Sequence, residues 1–233
     1  MQNFIIEKDI SGELVRVDDA DLLHQMRNVL RFEVGDKCMV LDGKGVKAKG
    51  EVLELHRKGA SIKLSEHEMC TPPARAIRLY CALANKLSTF ELIVQKATEL
   101  NVTDIIPLTT ERSQVDHIRK PERLKAIIKE ATEQCGRCFL PVLHEVQAIG
   151  KIVQKPPTGI ILVGEPWKYK ERYRDILVPE NEDVNVVIGP EGGFTDPELK
   201  MMDEVGGRIF LLGNTILRME TAAIAVLSVV QFT

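Results

Sequence analysis

Two short stretches near the end of the chain combine residues that could bind a ligand and stabilise charge. In GPEGG, at 189–193, three glycines and a proline surround Glu191. In ILRMETA, at 216–222, Arg218 and Glu220 stand directly before an apolar run. Glycines let a ligand approach the backbone closely, and an arginine among apolar residues favours a carboxylate or phosphate partner. The sequence therefore predicts a ligand site in which the charge of Arg218 is partly buried.

The same residues also fit purely structural roles. GPEGG is a plain strand–turn–helix connection if nothing binds there, and Glu220 would then only cap a helix, whose dipole favours a negative charge at its start. The spacing is not the G-x-G-x-x-G of dinucleotide sites, and the lysine of a phosphate-binding P-loop is absent. Dinucleotide and ATP sites are therefore poor matches.

Both stretches follow predicted strands, at 184–189 and 208–213. Ligands of open α/β sheets bind outside the carboxyl ends of the strands, which is where these residues stand. From residue 77 onward, strand-like and helix-like runs alternate, which predicts an α/β domain with a mostly parallel sheet flanked by helices. On this pattern alone the sheet would be doubly wound and unknotted, because knots are rare among folds.

Helix starts in this domain are indicated by two capping boxes. One is Ser88 with Glu91, and the other is Thr195 with Glu198. A further helix is predicted at 169–177. Trp167 stands just before it and could either stack on a base or pack within the domain.

The first seventy residues predict a separate, β-rich domain. Short strand-like runs are joined by an Asp-Gly hairpin turn at 42–45, and one short helix is predicted at 21–32. This pattern is typical of a small β-barrel over residues 1–70. Pro72 and Pro73 exclude helix, so residues 71–76 are predicted to be a linker to a second domain over residues 77–233.

The charge of the chain is informative only locally. A net charge of −3 and a pI of about 6.0 give no global signature of nucleic-acid binding. Residues 27–63, however, carry nine lysines and arginines against five acidic residues. This excess suits contacts with phosphates, unless it is only an ordinary solvated face of the barrel.

The cysteines and apolar runs bear on location and on metals. Five cysteines without a signal peptide favour a reducing, cytoplasmic environment. No apolar run reaches the roughly 18 residues of a membrane span, so no membrane partner is expected. The pair Cys135 and Cys138, even with His144, supplies too few ligands for structural zinc, so no metal is expected.

Longer motifs resemble a known family. VVIGPEGGFTDPEL followed by LLGNTILRMETAAIAVL closely resembles the ribosomal RNA small subunit methyltransferase E family of the SPOUT superfamily. HQMRNVLRFEVGD, ELIVQKATELNVTDIIPLTTERS and EATEQCGRCFLPV resemble its other signatures, and together the motifs cover most of the chain. The chain departs from the family at Asn214 and Thr215, where an arginine is common, and in the loop ANKLSTF.

The resemblance implies a fold and an activity. It implies a PUA-like N-terminal barrel and a C-terminal domain with a trefoil knot at 159–233. It also implies S-adenosylmethionine as cofactor, a homodimer with the active site near the interface, and methylation of uridine N3 in 16S ribosomal RNA, within the 30S subunit or a late precursor. Two alternatives stay open: a SPOUT enzyme acting on another RNA position, such as a ribose 2′-hydroxyl, and a non-catalytic RNA-binding assembly factor.

The resemblance also implies roles for individual residues. Arg218 would stabilise negative charge on the target base, and Glu191 or Glu220 would accept the N3 proton. The cofactor would be held by Gly164, Gly189, Gly192, Gly193, Leu211, Leu212, Gly213, Ile216 and Leu217, the last two closing an apolar slot for adenine. RNA contacts would come from His24, Arg27, Arg31, Lys86, Arg112 and Arg137, although either Arg27 or Arg31 could instead be structural.

Overall fold

The computed structural model describes residues 1–165 and 178–232. The predicted helix at 169–177, together with Pro166 and Trp167, lies outside the described residues. The chain divides into two compact units, Met1–Pro72 with Lys129–Leu140, and Pro73–Ile128 with Pro141–Thr233. The first unit thus includes a segment from far along the sequence, which the strand and helix patterns do not predict.

Helices and strands follow one another in the order expected for a β-rich domain followed by an α/β domain. The strands are β1 (Asn3–Ile5), β2 (Leu14–Val17), β3 (Lys37–Leu41), β4 (Val46–His56), β5 (Gly59–Met69), β6 (Ile77–Ala82), β7 (Asp104–Thr109), β8 (Val142–Leu143), β9 (Gln147–Ala148), β10 (Ile160–Gly164), β11 (Val184–Ile188) and β12 (Arg208–Phe210). The α-helices are α1 (Ala20–His24), α2 (Leu87–Glu99), α3 (Pro121–Cys135), α4 (Gly150–Gln154), α5 (Asp196–Glu204) and α6 (Met219–Phe232).

The first unit is built on a sheet with the order β1-β3-β4-β5-β2. Strand β1 runs parallel to β3, and the other neighbours are antiparallel. The predicted Asp-Gly hairpin turn is confirmed, because Gly43 and Gly45 have φ values of +73° and +116°, a region that favours glycine. Inward-facing residues such as Phe4, Val40 and Ile62 form the core of this unit.

The helix predicted at 21–32 is shorter than expected. Asp19 caps α1 by accepting hydrogen bonds from the backbone N–H groups of Asp21 (2.9 Å) and Leu22 (3.0 Å). After His24 the chain continues as one π-helical turn, Gln25–Val29. Such turns often mark functional sites in proteins, and this one contains Arg27, a candidate RNA contact, with two others, His24 and Arg31, close to its ends.

The last part of α3 is tied into the first unit by hydrogen bonds and an ion pair. The buried Glu133 carboxylate accepts a hydrogen bond from the N–H of Ile5 (2.8 Å) and another from the Gln25 side chain (3.4 Å). Lys129, one turn earlier, lies 3.5 Å from the Asp19 carboxylate. Burial raises the pKa of Glu133 above its ordinary 4.5, and the hydrogen bonds from Ile5 and Gln25 offset only part of that effect.

Glu133→Gln should change how stability depends on pH. The raised pKa means that the folded state holds this proton more tightly than the unfolded chain, so wild-type stability falls as pH rises from about 4.5 through the folded pKa. The variant lacks this loss and keeps an amide oxygen for Ile5. The difference in free energy of unfolding between the variant and wild type, measured in urea titrations, should therefore rise as pH increases above about 4.5. Glu122→Gln, exposed on the same helix, is the control, and a falling difference would contradict the prediction.

Two cysteines of the first unit form a disulfide. Cys70 and Cys138 are joined, with their Cα atoms 6.3 Å apart. Both cysteines are hydrogen-bonded to Gly45. The N–H of Cys70 donates to the carbonyl of Gly45 (2.8 Å), and the N–H of Gly45 donates to the carbonyl of Cys138 (3.2 Å). The sequence favours reduced thiols and does not predict this disulfide. Because Cys138 is bonded to Cys70, it is not available to bind a metal ion.

The second unit is built on a parallel sheet. Among the described residues its strand order is β12-β10-β11-β6-β7-β8, with β9 also paired to β7. Every pairing is parallel, which confirms the predicted α/β domain. All five residues of β11 are buried, as expected for a central strand covered on both faces. No helix in the described part of the chain is long and apolar enough to cross a membrane.

Candidate functional site

The register of the parallel sheet aligns four strand ends. Gly164 of β10 pairs with Ile188 of β11 on one side and with Phe210 of β12 on the other, and Ile188 pairs with Cys81 of β6. The loops that follow these strands therefore begin side by side. This edge of the sheet is where ligands bind in open α/β folds.

The glycines of GPEGG allow a tight turn after β11. The N–H of Gly193 donates to the carbonyl of Pro190 (2.8 Å), and Gly193 has a φ of +68°. A Cβ at Gly189 would lie 3.0 Å from the ring of Phe194. Glycine is favoured at Gly193 because other residues rarely adopt a positive φ. Glycine is favoured at Gly189 because a side chain there would displace Phe194.

The turn is held by hydrogen bonds to the loop that follows β7, two strands away in the sheet. The Arg112 guanidinium donates to the carbonyls of Gly192 (2.7 Å) and Phe194 (3.4 Å). The Glu198 carboxylate accepts hydrogen bonds from the N–H of Glu111 (2.8 Å) and the N–H of Thr195 (2.8 Å). The predicted capping box of Thr195 and Glu198 is thus confirmed, and it also holds two loops together.

Glu191 ties the same turn to the loop after β6. Its carboxylate accepts a hydrogen bond from the N–H of Asn85 at 3.0 Å. Burial raises the pKa of the nearby Cys81 thiol, and the negative charge of Glu191 adds to that effect. Cys81 is therefore a neutral, buried thiol rather than a nucleophile.

A cavity of about 690 Å³ opens where these loops meet. Its lining includes cations and carboxylates as well as the backbone of GPEGG. The ionisable residues that line it are Lys86, Arg112, Arg218, Glu165, Glu191 and Glu220. Gly164, Gly189, Gly192, Gly193, Ile216 and Leu217 also line it. The structure thus brings the three candidate catalytic residues together with six of the nine candidate cofactor residues and two of the six candidate RNA contacts.

A narrower apolar slot of about 60 Å³ lies beside the cavity. Leu211, Leu212 and Gly213 line it, as expected for residues at the end of β12, and Leu217 lines both spaces. Ile216 lines only the larger cavity and is 56% exposed, so it does not close the slot in this structure. An apolar slot that shares a wall with a cavity containing charged side chains is typical of sites for small molecules with one flat apolar part.

The charge of Arg218 is not partly buried, contrary to the prediction from the apolar sequence on both sides. The Arg218 side chain is exposed at the cavity. The backbone carbonyl of Arg218 accepts a hydrogen bond from the N–H of Ala222 at the start of α6. No hydrogen bond or ion pair of the guanidinium is found within residues 1–165 and 178–232. Glu220 lies in the first turn of α6, where the helix dipole favours its charge. Both side chains are therefore available to a bound molecule.

Glu165 is a lining residue that the sequence reasoning did not select. It follows β10 directly, is 5% exposed, and lines both the cavity and the slot. The signal was present, because an ionisable residue immediately after an apolar strand stands at the ligand-binding edge of the sheet. The family resemblance assigns a role in cofactor binding to its neighbour Gly164 but not to Glu165.

The remaining RNA candidates lie in the first unit and do not line the cavity. His24, Arg27 and Arg31 are exposed around the π-helical turn, and His24 is within hydrogen-bond distance of Asn28 (2.8 Å). Arg31 has a φ of +55°. Arg137 is half-buried, and burial lowers its pKa to about 10, so it remains charged near neutral pH.

The described residues offer no metal centre. In residues 1–165 and 178–232, no group of three or more His, Cys, Asp or Glu side chains is arranged to hold an ion. His144 instead lies 2.7 Å from the Asp104 carboxylate. Of the cysteine pair, Cys135 is free and exposed, whereas Cys138 is bonded to Cys70.

Comparison with known protein families gives two matches in the order of the two units. A model described as an RNA methyltransferase PUA domain matches residues 17–65. A model described as an RNA methyltransferase domain matches residues 71–231. The second match alone spans more than half of the chain.

Individual relatives agree with these matches. Ribosomal RNA small subunit methyltransferase E of Synechocystis sp. is 34% identical over 208 residues, covering 86% of this chain and 67% of the relative. The protein of the same name from Rickettsia conorii is 28% identical, covering 90% and 86%. A crystal structure of that methyltransferase from Neisseria gonorrhoeae, bound to S-adenosylmethionine, superposes with a TM-score of 0.89 at 26% identity, covering 99% of this chain and 97% of the other.

Proposed function

The chain belongs to the ribosomal RNA small subunit methyltransferase E family, and from this premise we propose that it transfers a methyl group from S-adenosylmethionine to uridine N3 in 16S ribosomal RNA. The observation that carries the proposal is an apolar slot that shares a wall with a cavity lined by arginine, lysine and carboxylate side chains. One space suits an adenine ring, and the other suits the charged parts of two reactants.

The residues of the site fit this cofactor. Leu211, Leu212 and Leu217 offer the apolar walls that an adenine ring needs. The cavity next to them has room for the methionine part and for a nucleobase, and the missing Cβ of Gly193 leaves space 3.7 Å from the Glu165 carboxylate. We assign Gly164, Gly189, Gly192, Gly193 and Gly213 to the backbone contacts of this site.

The cofactor supplies an electrophilic methyl group on its sulfonium, so the protein mainly has to position the reactants and stabilise charge. Uridine N3 carries a proton at neutral pH, and negative charge develops on the base when that proton leaves. Arg218 is placed to stabilise that charge on a base carbonyl. Glu220 is our first choice as proton acceptor, because Glu191 already accepts the N–H of Asn85.

We further propose that residues 1–70 form the RNA-binding domain and that residues 71–76 link it to the methyltransferase domain at 77–233. The PUA domain match and the excess of basic residues at 27–63 support this role. His24, Arg27 and Arg31 would contact phosphates from their exposed positions. Lys86 and Arg112 would act nearer the target base, although Arg112 also supports GPEGG.

Removing one of the exposed arginines should lower the salt dependence of RNA binding. Arg27→Ala and Arg31→Ala should each reduce the slope of log affinity against log salt by about one, because each phosphate contact releases about one counterion. The slope is measured by titrating 16S ribosomal RNA at several salt concentrations. Arg16→Ala, exposed on β2 outside the basic stretch, is the control. Wild-type slopes in both variants would mean that this face is only solvated.

The assembly that we propose is a homodimer with the active site near its interface. The apolar helix α6 leaves Ile224, Ala225 and Val229 only half-buried and Phe232 78% exposed, and its Ala222 lines the cavity. A second copy of the chain on this face would cover apolar surface beside the site. The molecular mass in solution, measured by light scattering, tests the dimer.

Two further proposals follow from the family. The parallel order β12-β10-β11-β6 supports a trefoil knot at 159–233, although the residues between β10 and β11 are described only in part. The substrate would be the 30S subunit or a late precursor in the cytoplasm, where ribosomal RNA is modified.

The decisive experiment for the activity is nucleoside mass spectrometry. Purified protein, labelled S-adenosylmethionine and 30S subunits that lack the modification should yield labelled 3-methyluridine in 16S ribosomal RNA. A labelled 2′-O-methyl nucleoside would instead show that the enzyme acts on a ribose hydroxyl. Binding of RNA and cofactor with no methylated nucleoside would favour an assembly factor.

A further inference from the structure

The backbone of Glu165 is hydrogen-bonded at the end of β10. Its backbone N–H donates to the carbonyl of Phe210 at 3.0 Å, which extends the pairing of β10 with β12 by one residue. The side chain is 5% exposed, although a carboxylate is costly to bury. A buried carboxylate that lines a ligand cavity is a candidate for recognising part of the ligand.

Glu165 lies between the two spaces, and this position indicates which part of the ligand it would contact. Gly164, Glu165, Ile188, Leu217 and Ala222 line both the apolar slot and the larger cavity, and Glu165 is the ionisable residue in this shared wall. The cations Lys86, Arg112 and Arg218 line the larger cavity but not the slot. Glu165 therefore marks the boundary at which an apolar ring would give way to polar groups.

Gly193 keeps space open next to this carboxylate. A Cβ built on Gly193 would lie 3.7 Å from Oε2 of Glu165, and the φ of +68° points to glycine at this position for conformational reasons as well. A side chain on this residue would occupy the volume that a ligand hydroxyl needs in order to reach the carboxylate. The missing side chain and the buried carboxylate thus form one cradle.

We propose that Glu165 accepts hydrogen bonds from the ribose hydroxyls of S-adenosylmethionine and so positions the cofactor between slot and cavity. The inference rests on the proposed function, because it takes the cofactor from there. In this nucleoside the ribose joins the adenine to the charged chain, which matches the boundary position of Glu165. Carboxylate oxygens accept hydrogen bonds, so hydroxyl donors complement them, and an acidic residue binds ribose hydroxyls in dinucleotide sites too.

The test is a set of affinities measured by calorimetry, with S-adenosylmethionine, S-adenosylhomocysteine and the 2′-deoxy and 3′-deoxy forms of the latter. Glu165→Gln should weaken both parent ligands about tenfold, the range expected for a lost hydrogen bond to a charged group. At least one deoxy ligand should bind wild type about tenfold more weakly, yet lose little further affinity in the variant. Glu204→Gln, an exposed change at the end of α5, should leave all affinities unchanged.

Each other outcome overturns a different statement. Deoxy ligands that bind wild type as tightly as their parent would remove the ribose contact, even if Glu165→Gln failed to fold. A variant that loses affinity for S-adenosylmethionine but not for S-adenosylhomocysteine would show that Glu165 recognises the sulfonium charge instead. Wild-type protein that binds neither parent ligand would contradict the proposed function itself.

Discussion

Arg218→Ala should lower the single-turnover rate of methyl transfer by about 10²–10³, the typical cost of removing one donor to a developing oxyanion. The affinity for S-adenosylmethionine should stay close to wild type, because the interaction strengthens only as charge develops on the base. The melting temperature should also stay close to wild type, since the side chain is exposed and forms no ion pair with the residues that the structure describes. The rate is measured with excess enzyme over 30S subunits.

The geometry of the side chain provides a second, independent readout. Arg218→Lys keeps the positive charge but loses the planar fork of the guanidinium, so it should restore little of the lost rate. Arg123→Ala removes an arginine whose side chain is 51% exposed outside the cavity, and it should leave the rate unchanged. These variants separate a specific contact with the base from a general loss of positive charge.

A different result would assign Arg218 to the architecture of the protein. An Arg218→Ala variant that melts much earlier, yet turns over normally at a permissive temperature, would show that the arginine supports the start of α6. Glu191 would then be the leading candidate for a catalytic role, in spite of its hydrogen bond to Asn85. A variant that mainly loses cofactor affinity would instead move Arg218 into the cofactor site.

Local sequence rules worked where the structure is decided locally. Thr195 and Glu198 are three residues apart, and they form the predicted capping box. The same rule failed for Ser88 and Glu91, because α2 begins at Leu87 and its N-cap is Lys86, without a side-chain hydrogen bond. The residue before it, Asn85, donates its N–H to a carboxylate 106 positions away. A capping pattern uses only neighbouring residues, so it cannot predict this distant contact at the helix start.

Burial of charged residues was the least predictable property. Apolar neighbours in sequence predicted a partly buried Arg218, but the side chain is exposed at the cavity. Glu165, in contrast, stands where the chain leaves a strand, and it is almost fully buried. Exposure depends on which loops converge at the strand ends. The strand register brings Phe210, Gly164 and Ile188 side by side, and sequence patterns do not give that register.

Residues 129–140 belong to the first unit because of contacts between residues that are far apart in sequence. The helical pattern of α3 predicts a single element of an α/β domain, and it is one helix in the structure. The contacts that place its end in the first unit join Glu133 to Ile5 and Lys129 to Asp19, over separations of more than a hundred residues. The family motifs could supply the overall fold because they cover most of the chain, but they carry no information on such individual contacts.

Gly193→Ala should weaken binding of S-adenosylmethionine by about 5- to 30-fold. A residue with a Cβ pays about 1–2 kcal/mol in the left-handed region, which reduces the population of the binding-competent turn by up to about 30-fold. The added methyl group would also lie 3.7 Å from the Glu165 carboxylate, in the space that we propose a ribose hydroxyl occupies. Calorimetry gives the affinity, and a thermal melt reports the stability of each variant.

Two matched variants distinguish backbone strain from lost space. Gly206→Ala places a methyl group at another positive φ, +80°, where no atom lies within 4 Å, so it should cost similar stability and leave the affinity unchanged. Gly193→Asn carries a residue that tolerates the left-handed region but is larger than alanine. If the space beside Glu165 matters, asparagine should bind the cofactor no better than alanine does. If asparagine restores wild-type affinity, the turn conformation alone is required, and Gly193 does not form a cradle with Glu165.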